Sequence, residues 1–374
     1  MKFNVQGKAF LNQLQSVSKV LNSKNAITVL DNFLFTVEGD RLTITGSDSE
    51  NILTASVEIF ESECDGAVAV PAKRLLEVVK EVASQPLTFV INDVTKEIDL
   101  VFLTGHFSFM GVNASEYPVA DKGNEETIKL TVPSDVIVKG IDSTLFAVST
   151  DTIRPMMTGI YWDIHKEDIT FVGSDTHKLV KYVNSEYAPG IESSFILPAK
   201  PAAIIKGLLE KEEGDVVVEM DSRSAIFNYG DYSLSCRFIN GNYPNYNRVI
   251  PVDNPYSLTV DRVTLLAAVR RVSIFASKAS NLVKFRMSDS DLRLSAQDLD
   301  YSTQAEEKVE CEYSGQEMTI GFNAGHMIEM LNNLHSDNVI IKVSDPARPA
   351  LFEPLEKTEG ESVVMIQMPL QVIE

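Results

Sequence analysis

The sequence predicts an α+β fold repeated three times along one chain, each repeat having two helices packed on antiparallel strands. Two observations carry this. An alternating apolar strand closed by an aspartate occurs as Leu42-Thr43-Ile44-Thr45-Gly46-Ser47-Asp48, Ile169-Thr170-Phe171-Val172-Gly173-Ser174-Asp175 and Leu292-Arg293-Leu294-Ser295-Ala296-Gln297-Asp298, with the aspartates 127 and 123 positions apart. Other landmarks keep the same order at matching offsets. Val5, Val132 and Val260 open each third. Val70-Pro71-Ala72-Lys73, Leu197-Pro198-Ala199-Lys200 and Gly321-Phe322-Asn323-Ala324 lead into a second helix, and Tyr117-Pro118, Tyr243-Pro244 and Met368-Pro369 end each third. A period this long describes whole domains rather than a stack of small repeats. The boundaries read as 1–122, 128–250 and 255–374.

Each element has a local reason. Phe3 to Val5 is a short strand, and Phe10, Leu11, Leu14, Val17 and Leu21 then form the apolar stripe of an amphipathic helix, broken by Asn22-Ser23-Lys24-Asn25. Strands at 32–37 and 41–45 flank the hairpin turn Glu38-Gly39-Asp40. After Pro71, Leu75, Leu76, Val79 and Val82 make a second stripe that ends near Ser84-Gln85-Pro86. Residues 87–91, 98–103 and 106–109 alternate like strands. The polar run Asp121 to Thr127 reads as a linker, and Ile250 to Pro255, with two prolines, as a second. The middle third repeats the plan with helices at 134–149 and 198–210, and the last third with helices at 262–276 and 324–334. Roughly eight strands per domain, most with one buried face, complete each repeat.

Composition narrows the function. Cys64, Cys236 and Cys311 are scattered, which fits a reducing cytoplasm and no disulfide or zinc framework. No stretch approaches the roughly 20 apolar residues of a membrane span, so a soluble, cytoplasmic protein is expected. The net charge of −20 argues against a nucleic-acid partner at first sight. Yet the acids fall in loops and outer strands such as Glu210 to Glu213, while the helices carry Lys73, Arg74, Lys80, Lys139, Lys200, Lys206, Arg270 and Arg271. These bases are either ordinary solvated helix faces or an inner stripe for phosphates.

Catalytic chemistry has one candidate, Asp175-Thr176-His177, which could hold a base and its orienter. Asp48 and Asp298 stand at the same place with no histidine beside them, so the aspartate reads as a turn-capping residue of the fold. His106, His165, His326 and His335 occur singly, and there is no GxGxxG, P-loop or GxSxG motif. No cofactor or metal is expected. Trp162 reads as core. The aromatic and turn-rich segment Tyr243 to Val249 and the apolar end Met365 to Leu370 could together form a peptide interface. Alternatively, the last strand docks into its own sheet.

With the opening Met1-Lys2-Phe3-Asn4-Val5, the middle Gly173 to Leu179, residues 241–251, 313–323 and the Met-Pro-Leu end, the chain resembles the bacterial sliding-clamp family, the beta subunit of DNA polymerase III, over its whole length. The resemblance implies a non-catalytic processivity factor: a head-to-tail homodimeric ring that encircles double-stranded DNA without reading its sequence. By the same resemblance, the replicative polymerase, clamp loader and repair polymerases bring short motifs to one groove between the middle and last domains. Carried over, that groove is Met157, Ser174, Thr176, His177, Lys178, Leu179, Pro244, Arg248, Val249, Ala347, Met368, Pro369 and Leu370. The DNA-facing bases are Lys24, Lys73, Arg74, Lys80, Arg154, Lys200, Lys206, Arg270, Arg271 and Lys278. Phe107 and Phe109 of one copy meet Ile274 and Phe275 of the other. Thr176 stands where glycine is common in the family and Lys178 where arginine is common, and Gln371 to Glu374 extend past its usual end; all three bear on which peptide fits.

Overall fold

The computed structural model describes residues 1–118, 127–210 and 213–372, so most of the first expected linker lies outside the described residues. Six α-helices are found among them, two per third: α1 Gly7–Ser18, α2 Ala72–Val82, α3 Ser134–Thr144, α4 Ala199–Leu209, α5 Arg262–Ser273 and α6 Ala324–Asn333. The thirds hold nine, eight and nine strands, so the expected plan recurs. Phe10, Leu14 and Val17 of α1 and Leu75, Val79 and Val82 of α2 are buried, which is the helical stripe that the spacing demands. Gly7 opens α1 because a Cβ there would lie 2.5 Å from the carbonyl oxygens of Ala83 and Gln85.

Helix ends depart from the sequence reading. α1 stops at Ser18 rather than Leu21. α3 stops at Thr144, whose hydroxyl donates to the Gly140 carbonyl at 2.6 Å, and a 3-10 turn over Leu145–Ala147 follows. α5 and α6 are capped by Asp261 and Asn323, whose side chains accept from the N–H groups of Thr264 and His326. Asn323 therefore stands where Pro71 and Pro198 stand in the other thirds, a place the sequence pattern assigned to Phe322. Gly325 consequently occupies the helix position of Lys73 and Lys200.

Contacts divide the chain into two compact units, Met1–Asp135 with Lys200–Phe238, and Val136–Ala199 with Ile239–Glu374, so the division falls inside the middle third. Sheet continuity explains it. In the first unit, Tyr232–Arg237 of the middle third pairs antiparallel with Asn51–Phe60 of the first, Leu234 opposite Leu53. In the second unit, Lys178–Asn184 pairs antiparallel with the terminal strand Glu361–Gln367, Leu179 opposite Ile366. Backbone hydrogen bonds thus cross both junctions between thirds.

Each third keeps its own aromatic core. Phe3, Phe10, Phe35 and Phe89 cluster with ring centroids 5.1 to 5.9 Å apart. Trp162 is fully buried on Phe171 and Phe195, and Phe285, Phe322 and Phe352 fill the last core. No helix among the described residues is long and apolar enough to cross a membrane.

Candidate functional site

The three repeated aspartates do one local job. Asp48 Oδ1 accepts from the N–H groups of Glu50 and Asn51, Asp175 Oδ1 from those of His177 and Lys178, and Asp298 Oδ1 from those of Asp300 and Tyr301, all at 2.7 to 3.3 Å. Each aspartate closes its strand in an Asx turn. In the middle copy the carboxylate reaches the backbone N–H of His177 and the ammonium of Lys178, at 2.5 Å. The imidazole of His177 instead stacks on His326, with ring centroids 5.9 Å apart.

That turn walls an apolar cleft of about 430 Å³ in the second unit. Met157, Leu179, Pro244, Val249 and Met368 line it, with Ser174, Thr176, His177 and Lys178 along a polar edge. Nine of the expected groove residues thus come together. The other four do not line the cleft. Leu370 donates its N–H to the Gly321 carbonyl at 2.7 Å, and Pro369 is half-buried beside it. Ala347 sits in an exposed turn on Asp345, and Arg248 is exposed at the end of a 3-10 turn.

Lys178 is 5% exposed, its ammonium held between Asp175 and Glu329 of α6 at 2.5 and 3.0 Å. Its charge is committed to the wall. Burial pushes the Asp175 carboxyl up, but Lys178 and the two N–H donors outweigh this and hold it below the ordinary carboxylate range. Burial, then the Lys178 charge, lower the His326 imidazole. The terminal segment is fixed by the Met368 N–H on the His177 carbonyl at 2.8 Å and by Gln367 Nε2 on the Asn323 carbonyl at 2.9 Å. Thr176 sits at φ +79°, a left-handed conformation costly for a β-branched residue and natural for glycine.

Arg154, Met156, Tyr243, Asn245, Tyr246 and Ile366 also line the cleft. Tyr243 stacks on Tyr161 at 4.8 Å and Tyr246 donates to Asp163 at 2.7 Å, which sets the loop that forms one lip. The aromatic content of that loop was the signal for the tyrosines, and strand alternation with Met368 the signal for Ile366. Met156 carried none.

Among the expected DNA-facing bases, Lys24, Lys73, Arg74, Lys80, Arg154 and Lys278 are exposed and form no ion pair among the described residues. Arg270 is exposed and donates to Asn332 at 2.8 Å. Three others are engaged. Lys206 lies 3.3 Å from Glu210, Arg271 makes two bonds to Glu307, and Lys200 is bound to Asp48, Asn22 and the Val20 carbonyl. Ile274 is 77% exposed and Phe275 39% at the end of α5. Phe107 and Phe109, two residues apart, share one face of their strand opposite Leu100 and Ile98; Phe107 is half-buried and stacks on Phe102, whereas Phe109 is only 6% exposed.

Residues 1–121, 131–245 and 247–370 match, in order, the N-terminal, central and C-terminal domains of the DNA polymerase III beta subunit. The beta sliding clamp of Pseudomonas aeruginosa is 26% identical, covering 98% of this chain and 99% of that protein. That of Caulobacter vibrioides is 28% identical over the full length of both. Among solved structures, the DnaN sliding clamp of Bartonella birtlesii bound to griselimycin is similar over both whole chains, with a TM-score of 0.93 at 25% identity. The three matched domains span nearly all of the sequence, and the chain belongs to the DNA polymerase III beta subunit family, the bacterial sliding clamps.

Proposed function

We propose that the chain is a DNA polymerase processivity factor with no chemistry of its own, built from three clamp domains at 1–122, 128–250 and 255–374. Two copies close head to tail around duplex DNA in the cytoplasm. The replicative polymerase, the clamp loader and repair polymerases dock short extended segments in the cleft by Leu179, Val249 and Met368. The cleft is the observation that carries this reading. An apolar wall with a thin polar edge suits one or two buried anchor side chains of an extended peptide, each contributing about 2 kcal/mol. Affinity of that order lets partners exchange.

The charge pattern supports encirclement. A net charge of −20 disfavours adhesion to free DNA, while exposed Lys24, Arg74, Lys80, Arg270 and Lys278 would give weak, sequence-blind phosphate contacts once a duplex is enclosed, and Arg154, which lines the cleft, leaves that set. The repeat supports closure. Junction strands Asn51–Phe60 and Lys178–Asn184 pair with Tyr232–Arg237 and Glu361–Gln367. By repeat order the remaining members are Thr303–Glu310 and Gly105–Met110, each with one strand partner among the described residues. Two copies would pair these edges.

The test uses a fluorescent peptide with two apolar anchors, taken from the polymerase of the same cell. Val249 and Met368 are 49% and 41% exposed, so replacing them spares the core. Val249→Glu with Met368→Glu should weaken binding at least tenfold with an unchanged circular dichroism spectrum. Unaltered affinity would contradict the assignment of the cleft.

A further inference from the structure

We propose that Lys73 of one protomer forms an ion pair with Asp298 of the partner subunit, a contact that rests on the head-to-tail reading above. A worked example of the contact exists inside the chain. At the junction within the first unit, Lys200, the second residue of α4, places Nζ 2.6 Å from Asp48 Oδ2, 2.6 Å from the Val20 carbonyl and 2.7 Å from Asn22 Oδ1. The socket is an Asx-turn aspartate at a strand end beside the turn that follows a first helix. The plug is a lysine one residue into a second helix.

The last third carries the same socket with no cation in it among the described residues. Asp298 is 8% exposed and its Oδ1 holds the same kind of turn. Phe275 follows the start of α5 by the same number of residues as Val20 follows the start of α1, and Ser277 matches Asn22. Both helix ends close alike. The Val20 N–H bonds the Val17 carbonyl at 3.3 Å, and the Phe275 N–H bonds the Val272 carbonyl at 3.0 Å. Where Val20 is fully buried, Phe275 is 39% exposed.

The first third carries the unused plug. Pro71-Ala72-Lys73 opens α2 as Pro198-Ala199-Lys200 opens α4, and Lys73 is exposed without an ion pair among the described residues. The middle socket is satisfied differently: α6 has Gly325 at the lysine position, and Asp175 takes Lys178 from its own turn. Only Lys73 and Asp298 remain unmatched in the threefold pattern, and they lie in the two thirds whose edge strands are also unmatched. A buried carboxylate is stabilised by a cation there, and Lys73 leaves the set of DNA contacts.

Sedimentation equilibrium of the full chain, without DNA, tests this. Asp298→Asn keeps the Oδ1 acceptor of the turn and removes only charge, and Lys73→Met alters an exposed side chain. Each should raise the dimer dissociation constant at least about tenfold. The double variant should lie within about threefold of the weaker single one, because both remove the same contact. An unchanged constant for Lys73→Met, or effects that multiply in the double variant, would overturn the pair. If Asp298→Asn misfolds, Lys73→Met decides alone. A wild-type chain that stays monomeric at every concentration would instead overturn the ring reading itself.

Discussion

Asp48, Asp175 and Asp298 make the same Asx turn, and for the first two a lysine beside the carboxylate sets what the turn is used for. Asp48 is tied to Lys200 and Asp175 to Lys178. The folded Asp175 carboxyl titrates below its ordinary range, so its stabilising contribution is present above about pH 4, the unfolded value, and is lost as pH falls through the lower folded value. Asp175→Asn keeps the turn but leaves Lys178, 5% exposed, with Glu329 as its remaining anion. The variant should be about 2 kcal/mol less stable in urea at pH 7, with the gap narrowing below pH 4. An equal deficit at pH 7 and pH 3 would contradict the charge argument. The turn role of these aspartates was legible in the sequence, because three copies shared it and one had a histidine. The burial of Lys178 was not, since Glu329 reaches it from a helix some 150 positions away.

Elements were legible where a local signal fixes them. Pro71 and Pro198 marked the starts of α2 and α4, whereas the caps Asp261 and Asn323 of α5 and α6 are seen only in the structure. Ends were less so, because Thr144 closes α3 through a hydroxyl bond that its side chain alone does not announce. Sheet junctions were hidden for another reason: a strand such as Tyr232–Arg237 alternates in the same way whether its edge is free or paired. Close approach was equally silent. Gly140 of α3 is a glycine because a Cβ would lie 2.5 Å from the Phe171 ring. The end of α5 turns Ile274 and Phe275 outward, 77% and 39% exposed. Ile274→Ala with Phe275→Ala should yield monomers in sedimentation velocity at concentrations where the parent is dimeric. An intact dimer would remove this face from the interface.

Over the whole molecule, threefold repetition was the sequence feature that carried most. It set the domain order and, once the junction strands were located, the edges left unmatched. The cleft was legible in its turn and its terminal strand, while Arg248, Ala347, Pro369 and Leu370 were carried over to positions that do not line it. The acidic charge is the property that separates two ways of holding DNA. A chain of net −20 that grips phosphates should leave DNA in moderate salt, whereas a closed ring should stay until the DNA offers an end. The direct measurement loads the protein with its clamp loader on a nicked circular plasmid, isolates the complex in 0.2 M salt, and cuts the plasmid once. Retention on the circle and loss on linearisation is the predicted result. Equal retention on both forms would contradict topological attachment.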